Sequence, residues 1–215
     1  VCQKRGINAV MTEDTHSSGV ERLAEVAGET EADYYLLIQG DEPLIESELI
    51  SEMAKLTRRG EIGEGAATFR MPIRNPIDVA NNTIIKIIVD VDDNMIFASR
   101  TAIPYPQKSI DFTYYKTVGV YCYPRSVALA YPNLKVGYVE RAEDHDLVRL
   151  LANGIRVKSF ERESVTVSVD TPKDLERIHN ILTSTPLPTV VRYRRNKWLK
   201  CSSGSLSFFP NRRVA

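Results

Sequence analysis

Three carboxylates stand where a chain of this pattern can put them to chemical use. Asp41 and Glu42 follow the apolar run Tyr34 to Ile38, within Y-Y-L-L-I-Q-G-D-E-P-L-I, and Asp170 follows Val165 to Val169. An apolar run of that length reads as a buried strand. Gly40 permits a turn, and Pro43 ends strand pairing. Both aspartates then sit just past the carboxyl ends of strands, the edge at which open α/β sheets bind ligands. Two aspartates there can share one Mg²⁺, which prefers oxygen ligands and bridges to substrate phosphates. Such a metal neutralises a triphosphate and stabilises a leaving pyrophosphate. Each aspartate also has a purely structural role open to it. Asp41 or Glu42 can cap the helix after Pro43, and Asp170 can share a helix cap with Thr171.

Fewer signals surround the histidines and the remaining acidic run. His16 lies in the polar loop Glu13 to Gly19, where Ser17 or Ser18 can cap the next helix and Glu21 and Arg22 project beside the loop. His145 reads as helix surface within an acidic helix, and His179 as last-turn decoration. Asp90 to Asp93, D-V-D-D, resembles the metal motif of nucleotide-sugar glycosyltransferases, but it falls in a hairpin turn.

The elements that must position these residues follow from periodicity. Strands are expected at Asn8 to Thr12, Tyr34 to Ile38, Ala66 to Met71, Ile84 to Val91, Met95 to Ser99, Thr117 to Tyr123, Ile155 to Phe160 and Val165 to Val169. Helices are expected where apolar residues recur at helical spacing. Val20, Leu23, Ala24 and Ala27 mark one; Leu49, Ile50, Met53 and Leu56 mark a second. Others start at Pro124, run from Val139 to Ala152, and begin at Thr171-Pro172-Lys173-Asp174, a strong capping signal. The alternation implies an α/β three-layer sandwich with a mostly parallel, partly mixed sheet.

Composition narrows the function classes. The chain has 215 residues and a formal net charge of zero. Its charge is unevenly spread. Seven basic residues and no acidic one follow Thr183, so the first 182 residues carry 21 basic against 28 acidic residues. An acidic body argues against nucleic-acid binding. The expected division is a folded domain over residues 1–182 and a basic, flexible tail over 183–215. No apolar run approaches the ~20 residues of a membrane helix. Three scattered cysteines fit a reducing cytoplasm.

Six motifs then occur in a fixed order. They are S-G-V-E-R (Ser18 to Arg22), Q-G-D-E-P (Gln39 to Pro43), S-R-T-A-I-P (Ser99 to Pro104), V-G-V-Y-C-Y (Val118 to Tyr123), an acidic helix from Val139, and V-D-T-P-K-D-L-E-R (Val169 to Arg177). In this the chain resembles the sugar-acid cytidylyltransferases, most closely the 3-deoxy-manno-octulosonate (Kdo) cytidylyltransferase, or CMP-Kdo synthetase, family. The resemblance covers residues 1 to about 182 and implies the nucleotide-diphospho-sugar transferase-like fold. It also implies a reaction: CMP passes from CTP to the anomeric hydroxyl of an acidic 3-deoxy sugar such as Kdo, and pyrophosphate is released. It implies that Asp41 and Asp170 hold Mg²⁺. Ser18, Gly19, Arg22 and Gln39 would bind the nucleotide; Arg100, Tyr121, Thr117 and Asp146 would meet the sugar. A planar guanidinium such as that of Arg100 suits a sugar carboxylate. Asp41, Asp170 and Arg100 would form the catalytic set, acting by positioning and charge neutralisation. Cytoplasmic lipopolysaccharide biosynthesis is the setting the resemblance suggests.

The chain departs from that family at several positions. Val20 stands in place of a threonine, Thr117 in place of a histidine, and Asp146-Leu147 in place of a Glu-Gln pair. No Gly/Arg/Lys phosphate loop precedes Val1. The chain alone is therefore expected to show little cytidylyl transfer and, through an open sheet edge, to pair with a second copy. A truncated, inactive binding relative is the alternative reading, and a nucleotide-sugar glycosyltransferase the more distant one.

Overall fold

The computed structural model of the protein describes residues 2–108, 112–164, 166, 168–169, 171–184, 198–202 and 205–209. Its centre is a six-stranded mixed sheet. The strands are β1 (Tyr34–Ile38), β2 (Ala66–Pro72), β3 (Lys86–Val89), β4 (Met95–Ser99), β5 (Tyr115–Pro124) and β6 (Val157–Glu161). Their order is β4-β3-β5-β2-β6, with β1 also paired to β5. The long strand β5 organises the sheet. One of its edges carries β2; the other carries β3 near Tyr115 and Lys116 and β1 from Val120 to Pro124. β1, β2 and β3 all run antiparallel to β5, and β6 runs parallel to β2. Four strands therefore point one way, although β2–β6 is the only parallel ladder among the described residues.

Period-two patterning explains why β5 is central. Val118, Val120 and Cys122 face α2 (Ser47–Arg58), packing with Leu49, Met53 and Leu56. Tyr121 and Tyr123 face the opposite layer. That layer holds α1 (Gly19–Glu29), α4 (Arg125–Ala130) and α6 (Asp146–Ala152), which contribute Val20, Ala27, Val127, Ala128 and Leu147. The result is the expected helix–sheet–helix sandwich. Its two cores are held chiefly by apolar burial, at ~1.5–3 kcal/mol for each fully buried Leu or Met. A short helix, α3 (Pro76–Ala80), precedes β3, α5 (Tyr138–Glu143) precedes α6, and α7 (Pro172–Ser184) follows β6. The Thr171 cap of α7 is reciprocal. Asp174 N donates to Thr171 Oγ1 at 3.3 Å, and Thr171 N donates to Asp174 Oδ2 at 2.8 Å. Beyond it the backbone forms an antiparallel hairpin, β7 (Trp198–Ser202) with β8 (Ser205–Phe209).

Three expectations are corrected. Asn8 to Thr12 is not a strand; no neighbouring strand pairs with it, and Val10 and Met11 are exposed. In Val165 to Val169, the described residues Thr166, Ser168 and Val169 are not a strand either. Among the described residues there, Val169 N donates to Asp41 O at 2.9 Å. Finally, Val139 to Ala152 is two helices. Asp144 takes a left-handed conformation at φ 48°, and His145 is extended. The cause is Arg100, whose Nε donates to Glu143 O at 2.7 Å and whose Nη2 donates to Asp144 O at 3.0 Å. These carbonyls no longer serve a continuing helix, and aspartate tolerates the left-handed turn better than most residues.

Candidate active site

A cleft of about 390 Å³ opens at the carboxyl end of β1. The β1–α2 connection supplies Gln39, Asp41 and Glu42. The loop before α1 supplies Ser17, Ser18 and Gly19. β5 supplies Lys116, Thr117 and Tyr121. The α5–α6 junction supplies Asp144, His145 and Asp146, and Arg100 closes that end. Eight of the sequence-assigned residues thus share one cavity: Ser18, Gly19, Gln39, Asp41, Arg100, Thr117, Tyr121 and Asp146. Arg22 does not line it. Its Nη1 donates to Thr12 Oγ1 and Glu13 O, both at 2.8 Å, so it pins the loop that leads to Ser18. Asp170 lies outside the described residues. Its neighbour Val169 bonds the Asp41 carbonyl, and Thr166, Ser168, Asp174 and Arg177 line the same cavity.

Backbone geometry presents these groups. Ser18 caps α1, accepting from Glu21 N at 3.3 Å. Gln39 N donates to Gly119 O at 2.9 Å, which ties the β1–α2 connection to β5. Gly119 leaves room there for two neighbouring side chains. A Cβ at this position would lie 2.6 Å from Glu42 Oε1 and 3.0 Å from Gln39 Oε1. The missing side chain is what lets the glutamine and glutamate stand beside Asp41.

Arg100 is held from several sides. Besides the two carbonyls of the α5–α6 junction, its Nη1 donates to Asn82 O at 3.1 Å. Its amide donates to Glu143 Oε2 at 2.8 Å, and Ser99 Oγ donates to Glu143 Oε1 at 2.6 Å. Its own carbonyl accepts from the buried ammonium of Lys86, which also binds Asn81 O and Ile84 O at 2.8 Å each. Among the described residues, three of the five guanidinium N–H groups are engaged, which leaves two for a ligand.

Charge and burial set the protonation states. Burial pushes the Tyr121 phenol well up, and its hydroxyl shares a hydrogen bond with Thr117, so it stays neutral. Burial raises Asp146, against hydrogen bonds from Tyr131 and Ser18. Burial lowers Lys116, opposed by the nearby carboxylates of Glu42 and Asp78; its Nζ donates to Thr166 O at 3.0 Å. His145 is lowered to about 4 by burial and by Arg100, which keeps its ring neutral at physiological pH. Behind the cleft, Arg149 bridges Glu140 and Glu21 at 2.6 and 3.0 Å and lies over the Tyr131 ring. Burial acts upward on Glu21, but bonds from Ser17 and Arg149 win and hold its carboxyl below the usual range. This network ties α1, α5 and α6 together behind Ser18 and Asp146.

Sequence reasoning passed over Lys116, Glu143 and Gly119. A lysine leading into the apolar strand V-G-V-Y-C-Y and a glycine inside it were the available signals. Glu143 gave none, because its role depends on the helix break. The Asp90 to Asp93 run is used structurally. Asp90 Oδ1 accepts from the amides of Asp92 and Asn94, and Asp93 Oδ1 pairs with Arg70 at 2.7 Å. Among the described residues, no group of three or more His, Cys, Asp or Glu side chains converges on a metal position.

Comparison with known proteins agrees with this geometry. The cytidylyltransferase family profile matches residues 1–181. The 3-deoxy-manno-octulosonate cytidylyltransferase of Fusobacterium nucleatum is 34% identical over 178 residues, covering 82% of this chain and 72% of that protein. The Solibacter usitatus protein of the same name is 36% identical over 178 residues, covering 82% and 70%. Among solved structures, a CMP:2-keto-3-deoxy-manno-octonic acid synthetase complexed with CTP superposes with a TM-score of 0.78 at 33% identity, covering 85% of this chain and 75% of that one. The chain belongs to the cytidylyltransferase family, within its 3-deoxy-manno-octulosonate branch.

Proposed function

We propose that the protein transfers CMP from CTP to the anomeric hydroxyl of an acidic 3-deoxy sugar such as Kdo, releasing pyrophosphate. The sugar oxygen forms a bond to the α-phosphorus as the bond to pyrophosphate breaks. The observation that carries this reading is the shared cleft, with Gln39 and Asp41 from the β1 end facing Arg100, Tyr121 and Asp146. Gln39, Ser18 and Gly19 would contact the nucleotide, and Arg100's two spare N–H groups the sugar carboxylate. Positioning of the two substrates supplies much of the acceleration in such a displacement.

The Asp41 carboxylate suits a magnesium ion. Asp41 presents an exposed carboxylate to the cleft, and Val169, the residue before Asp170, bonds the Asp41 backbone. Asp41 and Asp170 would hold the ion, leaving room for water and phosphate oxygens. When bound, it would neutralise triphosphate charge and stabilise the departing pyrophosphate. We place the reaction in cytoplasmic lipopolysaccharide synthesis and assign it to residues 1–182. Among the described residues, no helix is long and apolar enough to cross a membrane.

Thermal-shift titration with Mg²⁺ and each of CTP, ATP, GTP and UTP tests the nucleotide. The largest shift is expected with CTP; equal shifts with all four would contradict the reading.

A further inference from the structure

Resting on the sugar reading above, we propose that His145 is a specificity-determining residue that donates a hydrogen bond from Nε2–H to an oxygen of the acidic sugar. The placement comes from the break between α5 and α6. Arg100 takes up the Glu143 and Asp144 carbonyls, Asp144 turns left-handed, and the next residue, His145, is extended and lines the cleft. In a continuous helix this side chain would follow the helix surface instead. The ring sits edge-on to Tyr121, with centroids 6.4 Å apart and planes at 68°. That contact fixes its orientation against the buried wall of the cavity.

The two ring nitrogens are not equivalent. Nδ1 is enclosed by protein and, among the described residues, has no hydrogen-bond partner. A proton placed there would be a buried, unpaired donor, so the tautomer that leaves only a lone pair at Nδ1 is favoured. The proton then resides on Nε2 of a residue that lines the cleft. Burial and the neighbouring guanidinium keep the ring uncharged near neutral pH, so it recognises oxygen as a neutral donor. The same wall carries Leu147, fully buried and unable to hydrogen-bond, and Thr117, which is bonded to Tyr121. His145 therefore adds a neutral, directional donor beside Leu147, which is apolar, and Thr117, which is already engaged.

Isothermal titration with Kdo and, separately, with CTP and Mg²⁺ tests this, using the unaltered protein, His145→Phe and His145→Gln. Phenylalanine keeps the ring contact with Tyr121 and removes the donor; glutamine restores a neutral N–H. The expected result is about tenfold weaker Kdo binding in H145F. H145Q should recover part of it, and CTP affinity should stay within twofold in both. Kdo binding by H145F equal to that of the unaltered protein overturns the assignment of His145 and leaves the sugar reading standing. Parallel losses of Kdo and CTP affinity in H145F also overturn it, because they mark a structural role. No saturable Kdo binding by the unaltered protein overturns the sugar reading and this proposal together.

Discussion

At the scale of single residues, the cleft depends on groups that are absent or neutral as much as on charges. Gly119 is the clearest absence. A methyl group there meets Glu42 Oε1 at 2.6 Å and Gln39 Oε1 at 3.0 Å, so Gly119→Ala must displace both side chains beside Asp41. We expect a loss of pyrophosphate release with little loss of stability, because the atoms met are the ends of flexible side chains. Full activity in G119A would show that the close approach is dispensable. His145 is the clearest neutral group, and its state predicts a pH dependence. Its pKa is lowered from an ordinary 6.5 to about 4, by burial first and Arg100 second, while Asp144 and Glu143 act in the opposite direction. The unfolded chain then binds more protons than the native one between these values. Stability present above pH 6.5 is lost as pH falls toward 4, by on the order of 1–2 kcal/mol at pH 5. Urea unfolding at pH 7 and pH 5 measures this, and H145F should lose less on acidification than the unaltered protein. An equal loss in both would place the titration elsewhere.

At the scale of elements, the decisive feature is the broken helix before the sugar side of the cleft. Periodicity alone makes Val139 to Ala152 one helix, because Val139, Leu147, Val148, Leu150 and Leu151 do pack against the core. What ends α5 at Glu143 is a guanidinium more than forty residues earlier in the chain, which local pattern cannot reveal. The Glu143 carboxylate holds both Ser99 Oγ and the Arg100 amide. Glu143→Ala should therefore weaken stability by ~1–3 kcal/mol and raise the KM for the sugar more than that for CTP. Equal changes in the two KM values would mean that Glu143 only supports the fold. Behind this junction, Arg149 has a 6% exposed side chain between Glu21 and Glu140. Arg149→Met leaves two carboxylates without their cation and should cost about 3–5 kcal/mol in chemical denaturation. A change below about 1 kcal/mol would show that the pair is effectively solvated. By contrast, β1, β2, β4 and β5 were legible from their apolar and β-branched runs, and the α1 and α7 starts from Ser18 and Thr171. Those signals are local, and burial reinforces them.

At the scale of the molecule, the chain brings residues from Ser18 to Asp146 into one cavity because β5 lies antiparallel between β1 and β2. That insertion was not legible, since an apolar strand reads alike in either direction. Asp41 past the end of β1 was legible, whereas Asp170 lies outside the described residues; one residue before it, Val169 N donates to Asp41 O at 2.9 Å, and the described residues Thr166, Ser168 and Val169 form no strand. β1 has one paired edge among the described residues, that with β5. The central claim is that this cavity transfers a cytidylyl group to an acidic sugar, and pyrophosphate release tests it most directly. The assay takes the protein with Mg²⁺, Kdo and each of the four nucleoside triphosphates, beside an Asp41→Asn variant of unchanged melting temperature. The account predicts release that requires both CTP and Kdo, at least tenfold slower with the other triphosphates, and lost in D41N. Equal release from all four triphosphates, release without sugar, or an undiminished rate in D41N would contradict it.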